Sequence, residues 1–152
     1  MAPFEEAAFE DFFVHAEPRL RCALVAAYGT ERGREAAAEA LAYGWEHWDV
    51  VRTLDNPLGY LYRVGQSRTR TRKTPVVFVQ QPDTDVWVEP GLPAALAQLT
   101  DRQRLAVVLV HAFGWQLREV AELTGIAVTT VQNHLERGLA RLRALLEVNE
   151  NA

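Results

Sequence analysis

The stretch REVAELTGIAVTTVQNHL, residues 118–135, constrains this chain more than any other. Ala121 stands where two helices would cross closely and a larger side chain would push them apart. Gly125 follows four residues later, where the turn needs a left-handed backbone that glycine adopts without strain. Val131, six residues after Gly125, falls where a second helix packs back on the first. Val120, Leu123, Ile126 and Leu135 complete a small core. This is helix-turn-helix spacing. It leaves Thr129, Thr130, Gln132, Asn133, Glu136 and Arg137 mainly on the exposed side of the second helix. In a DNA-binding version that helix enters the major groove with its N-terminal residues nearest the bases. Gln132 and Asn133 carry amides suited to adenine edges, and Thr129 and Thr130 suit phosphates or a thymine methyl. Arg137, Arg141 and Arg143 suit phosphates further along, although alternation with Glu136 and Glu147 equally fits a solvated face. The same alanine and glycine register also occurs in helical bundles that never touch DNA.

The rest of the sequence is helical in pattern. Over residues 4–28, Phe9, Phe12, Phe13, Ala16, Leu20, Ala23, Leu24 and Ala27 recur near a 3.6-residue period, with Pro18 as a potential break. A second helix is expected over 31–48, where Ala37, Leu41, Trp45 and Trp48 form a stripe. Residues 49–57 read as a loop. Asn56-Pro57 then has the form of a helix start, a capping residue followed by proline at the first helical position. The helix from Pro57 turns Leu58, Leu61, Tyr62 and Gly65 toward a core and runs into the basic stretch RTRTRK. Residues 74–92 hold three prolines, three acids and the short apolar run VVFV. They read as a linker that could reach on the order of 60 Å fully extended; alternatively VVFV is a short strand or docks on one half. Beyond it, Thr100 and Gln103 have the spacing of a capping box, and Phe113-Gly114-Trp115 breaks the chain before the helix pair. The expectation is an all-α fold without a wing: one helical domain over 1–73, a linker over 74–92, and a helix-turn-helix domain over 93–152.

Composition removes other classes. The balance of apolar and charged residues suits a folded soluble protein, and no apolar run approaches the roughly 20 residues that span a bilayer. The acidic start MAPFEEAAFEDFF lacks the features of a signal peptide, so a cytoplasmic protein is expected. Cys22 is the only cysteine and reads as a small buried apolar side chain. His15, His47, His111 and His134 lack ligand spacing, so no metal is expected. Dinucleotide, phosphate-loop and zinc-hydrolase motifs are missing, and no paired carboxylates stand out. No catalytic residue, cofactor or small-molecule substrate is therefore expected, and the chain is not read as an enzyme. The net charge of −4 argues weakly against nucleic acid, but the acids concentrate in residues 1–65, followed by Arg68, Arg70, Arg72 and Lys73 with no acid among them. Tyr60, Tyr62, Arg63, Gln66, Arg68, Arg70 and Arg72, with Trp45 and Trp48, combine rings and cations that can stack on unpaired bases and hold a strand. Taken alone, Trp45 and Trp48 read as core.

At this point a family resemblance is legible. Residues 92–146, LPAALAQLTDRQRLAVVLVHAFGWQLREVAELTGIAVTTVQNHLERGLARLRALL, resemble the C-terminal domain of sigma-70 family factors of bacterial RNA polymerase, extracytoplasmic-function group. Residues 48–64, WDVVRTLDNPLGYLYRV, are similar to the end of that family's N-terminal domain. The resemblance implies partners: the β′ coiled coil and β flap of the polymerase core, promoter DNA and an anti-sigma factor, with no membrane. It also implies roles. Glu35, Glu39, Leu41, Trp45 and Trp48 would meet polymerase. Arg52, Asp55, Asn56, Tyr60, Arg63, Gln66, Arg68, Arg70 and Arg72 would handle the −10 element. Thr129, Thr130, Gln132, Asn133, His134, Arg137 and Arg141 would handle the −35 element.

The departures mark a divergent member. Ala38 stands where the family carries a polymerase-facing glutamine, and Gln66, Ser67 and Thr71 replace polar residues after Tyr62-Arg63-Val64. Gln132 and His134 stand at positions often basic, which implies a shallower salt dependence. Gln116 and Ala127 replace capping serines, each loss worth about 1 kcal/mol. Two other classes compete: a stand-alone dimeric helix-turn-helix regulator, and a degenerate sigma-like interaction protein that no longer reads DNA.

Overall fold

The computed structural model describes residues 3–71, 75–79 and 89–150. Among them every regular element is helical, as the sequence pattern predicts. α1 spans Pro3–Tyr28, α2 Thr30–Glu46, α3 Trp48–Val51 and α4 Pro57–Arg70. The C-terminal half contributes α5 Leu92–Ala97, α6 Asp101–Val107, α7 Leu117–Thr124 and α8 Val128–Glu150. α6 runs on through a wider π-helical turn, Val108–Ala112. Pro18 lies inside α1 without ending it. It removes only the bond to the Val14 carbonyl, on an exposed stretch where water can take over.

The expected loop at 49–57 is corrected in part, because its first residues form α3. Trp48 and Val51 are both buried and three residues apart, a spacing that one helical turn brings to one face. The amides of Val50 and Val51 donate to the His47 carbonyl at 3.1 and 2.9 Å. Segment 75–79 does not hang free, so the docked reading of VVFV holds for these residues. Thr30 N–H donates to the Val77 carbonyl (2.9 Å), Val79 N–H donates to Thr30 Oγ1 (3.0 Å), and Phe78 packs on the core. Gly29 makes room at this corner, since a Cβ there would lie 2.7 Å from the Val77 oxygen.

One apolar cluster runs through both halves, from Leu20, Leu24, Val51 and Leu61 to Leu109, Val120 and Val131. Each such side chain stabilises the fold by about 1.5–3 kcal/mol relative to exposure. α1 packs against α2, α4 and α6, and α4 packs against α7. A charged residue anchors the α1–α6 contact. Arg104 is 2% exposed, and all five of its N–H donors are used. Nε donates to Leu96 O (2.8 Å), Nη2 to Ala97 O and Leu99 O (3.1 and 2.6 Å), and Nη1 to Asp101 Oδ1 (3.1 Å) and Ala27 O. Leu96, Ala97 and Ala27 lie in the last turns of α5 and α1, whose terminal carbonyls have no partner within their own helices. One guanidinium thus closes two helix ends and joins them to α6. Burial lowers its pKa, while the Asp101 carboxylate opposes the shift.

Candidate nucleic-acid interface

The helix-turn-helix forms as its spacing predicts. Gly125 ends α7 in the left-handed region (φ 73), and its N–H donates to the Ala121 carbonyl at 2.9 Å. Val120, Ala121, Leu123 and Val131 are buried between the two helices. The start of α7 recovers part of what a serine cap would supply, because the Glu119 carboxylate accepts from Gln116 N–H at 3.1 Å. That bond, then the Arg19 guanidinium, hold the Glu119 pKa below its usual value. α8 opens after Ala127, which has no side-chain oxygen to cap it.

On α8, Thr129, Gln132, Asn133, Arg137 and Arg141 are exposed, and Thr130 is partly so. Gln132 Nε2 donates to Glu136 Oε1 at 3.3 Å, a weak exposed contact that a base edge can displace. His134 is corrected. It is only partly exposed and its Nε2 is enclosed without a hydrogen-bond partner among the described residues. It shares a helix face with Gly138, where an added Cβ would meet Val107 and Gln103 of α6. Burial, then the Arg102 and Arg137 charges, lower its pKa. His134 belongs to the α6–α8 contact and not to the exposed set.

The residues expected at a −10 element divide more sharply. Asn56 is an N-cap, with Oδ1 accepting from Gly59 N–H at 3.0 Å. Its Nδ2 donates to the Glu122 carbonyl of α7 at 2.7 Å. Both ends of the amide are therefore committed, which corrects its assignment to a DNA strand in this arrangement. Gly59 permits the approach, since a Cβ there would lie 2.9 Å from the Leu123 carbonyl. α1 reaches the same helix pair: Arg19 bonds Glu119 at 3.0 Å and lies 4.4 Å over the Trp115 ring. Arg52, Asp55, Arg63, Arg68 and Arg70 are exposed, and Tyr60 and Gln66 are partly buried. Arg72 lies outside the described residues. Tyr62 is buried in the core, and burial raises its pKa.

The polymerase-facing set is corrected in two places. Leu41 (7% exposed) and Trp48 (5%) are core residues. Trp48 packs between Phe9 and Phe12, with ring centroids at 5.4 and 5.2 Å. Glu35 is exposed, Glu39 partly so, and Trp45 retains 37% exposure against the edge of Phe9. Trp45 borders a mainly apolar groove of about 530 Å³ between α1 and α2, with Phe13, Ala38 and Ala42 along it.

One structural residue, Arg104, was not singled out from the sequence. Arg104 falls one turn before buried Val108, so a cation on an apolar stripe was its signal. No group of histidine, cysteine and carboxylate side chains suited to a metal occurs among the described residues, and no described helix is long and apolar enough to cross a membrane.

Comparison with known proteins supports the same architecture. Residues 91–142 match the family described as Sigma-70, region 4. No curated protein matches the chain. Among solved structures, the sigma factor RpoE of Bartonella quintana, determined in complex with the anti-sigma factor NepR, superposes with a TM-score of 0.66. It is 20% identical, and the alignment covers 93% of this chain and 98% of that one. At that identity the likeness is one of fold.

Proposed function

We propose that this chain, a sigma-70 family protein by its region 4 segment and its fold, joins bacterial core RNA polymerase as an extracytoplasmic-function factor and directs initiation at promoters with −35 and −10 elements. The observation that carries this reading is the region 4 match laid over a formed helix-turn-helix whose recognition face is open. Thr129, Thr130, Gln132, Asn133, Arg137 and Arg141 read the −35 duplex, with amides on base edges and guanidiniums on phosphates. Arg52, Asp55, Tyr60, Arg63, Gln66, Arg68 and Arg70 handle the −10 strand. Residues 1–73 and 93–152 act as the two functional halves, with 74–92 between them.

Glu35, Glu39 and Trp45 beside the α1–α2 groove offer a face to the β′ coiled coil, and the C-terminal half meets the β flap. The complex in which RpoE was solved supports an anti-sigma protein as a further partner. The chain works in the cytoplasm by binding and not as an enzyme. A second reading, a sigma-like interaction protein without DNA readout, draws on the commitment of Asn56 to α7.

The test is transcription from a promoter library by purified core polymerase, with and without this protein. Protein-dependent starts sharing two spaced elements are expected. No starts, with retained binding to core polymerase in a pull-down, would select the second reading.

A further inference from the structure

The start of α2 is closed by a segment far along the chain. Gly29, its cap residue, has no side chain to accept from the free amides of the first turn. The Val77 carbonyl accepts instead, taking Thr30 N–H at 2.9 Å. Thr30 Oγ1 in turn accepts from Val79 N–H at 3.0 Å. Burial alternates along the segment: Val76 and Phe78 are half-buried, while Pro75, Val77 and Val79 are exposed. Residues 75–79 therefore lie as an extended strap with one face on the body, and Phe78 packs on the core. Gly29 stands at φ 91, and an added Cβ would lie 2.7 Å from the Val77 oxygen and 2.8 Å from its nitrogen. The corner is shaped to receive the strap. The same turn of α2 holds the end of α4, because Arg32 Nε donates to Thr69 Oγ1 at 3.1 Å and Nη2 to the Thr69 carbonyl at 3.0 Å. These bonds tie both Thr69 and the strap to the N-terminal half.

We propose, resting on the two-element reading above, that this strap is a clamp that limits how far apart the −35 and −10 elements can lie. On that reading the two halves part over the DNA. The clamp stays with the N-terminal half, so residues 75–79 add nothing to the reach between the halves. Residues 80–91 alone can span about 40 Å fully extended, against on the order of 60 Å for the whole of 74–92. The difference of about 20 Å corresponds to about six base pairs, at roughly 3.4 Å of rise each. A connection that cannot span two sites loses their simultaneous engagement altogether, whereas spare length costs little. The clamp therefore excludes long spacers and leaves short ones unaffected. Gly29, Thr30 and Phe78 set this limit without touching DNA. A strap that only stabilised the fold would leave the spacing preference unchanged.

The experiment is transcription by core polymerase with the full chain, from one promoter of the library above rebuilt with a series of shorter and longer spacers. Thr30→Val with Phe78→Ser removes the acceptor for Val79 N–H and the packed ring, and so releases the strap. A second variant keeps the clamp and inserts a few glycine and serine residues after Asp83, adding the same reach by another route. Wild type is expected to lose activity about tenfold once the spacer exceeds its best length by roughly three base pairs. Both variants are expected to lose less than about threefold there, and all three proteins should fall alike at short spacers. Should the released variant fail to fold in thermal melts, Thr30→Val alone takes its place. A long-spacer limit in either variant equal to that of wild type would overturn the clamp while leaving the two-element reading intact. No protein-dependent starts from any promoter would overturn both.

Discussion

On α8, Gln132, Asn133, Arg137 and Arg141 stand in solvent on a helix that the rest of the fold packs only from behind. At the start of α4, the Asn56 side chain caps its own helix and also holds α7, and Gly59 lets the α7 backbone come close. The first region has a face with no structural duty. The second sets the exposed side chains proposed for the −10 strand beside one committed to support of the fold. Substitutions on α8 should therefore change DNA preference with little effect on stability, whereas those at the start of α4 should change both.

The largest expected effect tests what both regions share. Arg104→Met removes the guanidinium that joins the ends of α1 and α5 to α6, taking the donor from the Ala27, Ala97 and Leu99 carbonyls, while the Leu96 carbonyl keeps the Leu99 N–H. We expect a loss of about 3 kcal/mol or more in urea unfolding, at about 1–3 kcal/mol for each buried carbonyl left without a donor. A loss below about 1 kcal/mol would show that the halves do not depend on this guanidinium. Next, Gln132→Ala with Asn133→Ala is expected to weaken −35 duplex binding by about 1–3 kcal/mol for each bidentate amide–base pairing removed, with the unfolding midpoint unchanged. An unfolding midpoint that falls with the affinity would erase the distinction between the two regions.

How far each region was legible follows from the range of its interactions. Ala121, Gly125 and Val131 act over ten residues, so their spacing reports the turn directly, and Asn56-Pro57 and Thr100–Gln103 are caps closed within one helical turn. The second bond of Asn56 spans 66 positions, and the bond from Arg104 to the Ala27 carbonyl spans 77. No local pattern encodes such pairings. His134 was misplaced for a related reason: on α8 the face toward α6 and the face toward solvent meet at that residue, and periodicity does not say how wide the packed face is. Trp48 and Leu41 obeyed the apolar stripe, and only the resemblance assigned them to polymerase.

A smaller effect separates the two duties of Asn56. Asn56→Ala is expected to cost about 1 kcal/mol for the cap alone. Asn56→Asp keeps the acceptor for Gly59 N–H but has no donor for the Glu122 carbonyl, so it should retain the cap while loosening the packing of α4 on α7. Equal amide-exchange protection of α7 in wild type and Asn56→Asp would show that the long-range bond contributes nothing.

The smallest effect is with pH. The lowered pKa of His134 means that the unfolded chain binds its proton more readily than the folded one. Its contribution is present above the ordinary histidine value near 6.5 and is lost as pH falls from there through the folded-state value. Stability should therefore decline on that side, and His134→Leu should remove part of the slope. An unchanged slope in the variant would place His134 in solvent, back among the recognition residues.

The division of labour between α8 and α4 is tested most directly on the promoter library, with core polymerase and either wild-type protein or the Gln132→Ala, Asn133→Ala variant, mapping every start site. Wild-type starts should share two spaced elements. The variant should lose base preference at the upstream element while keeping the downstream one, because the two are read by different faces. Identical preferences at both elements for the two proteins, or no protein-dependent starts at all, would contradict that division.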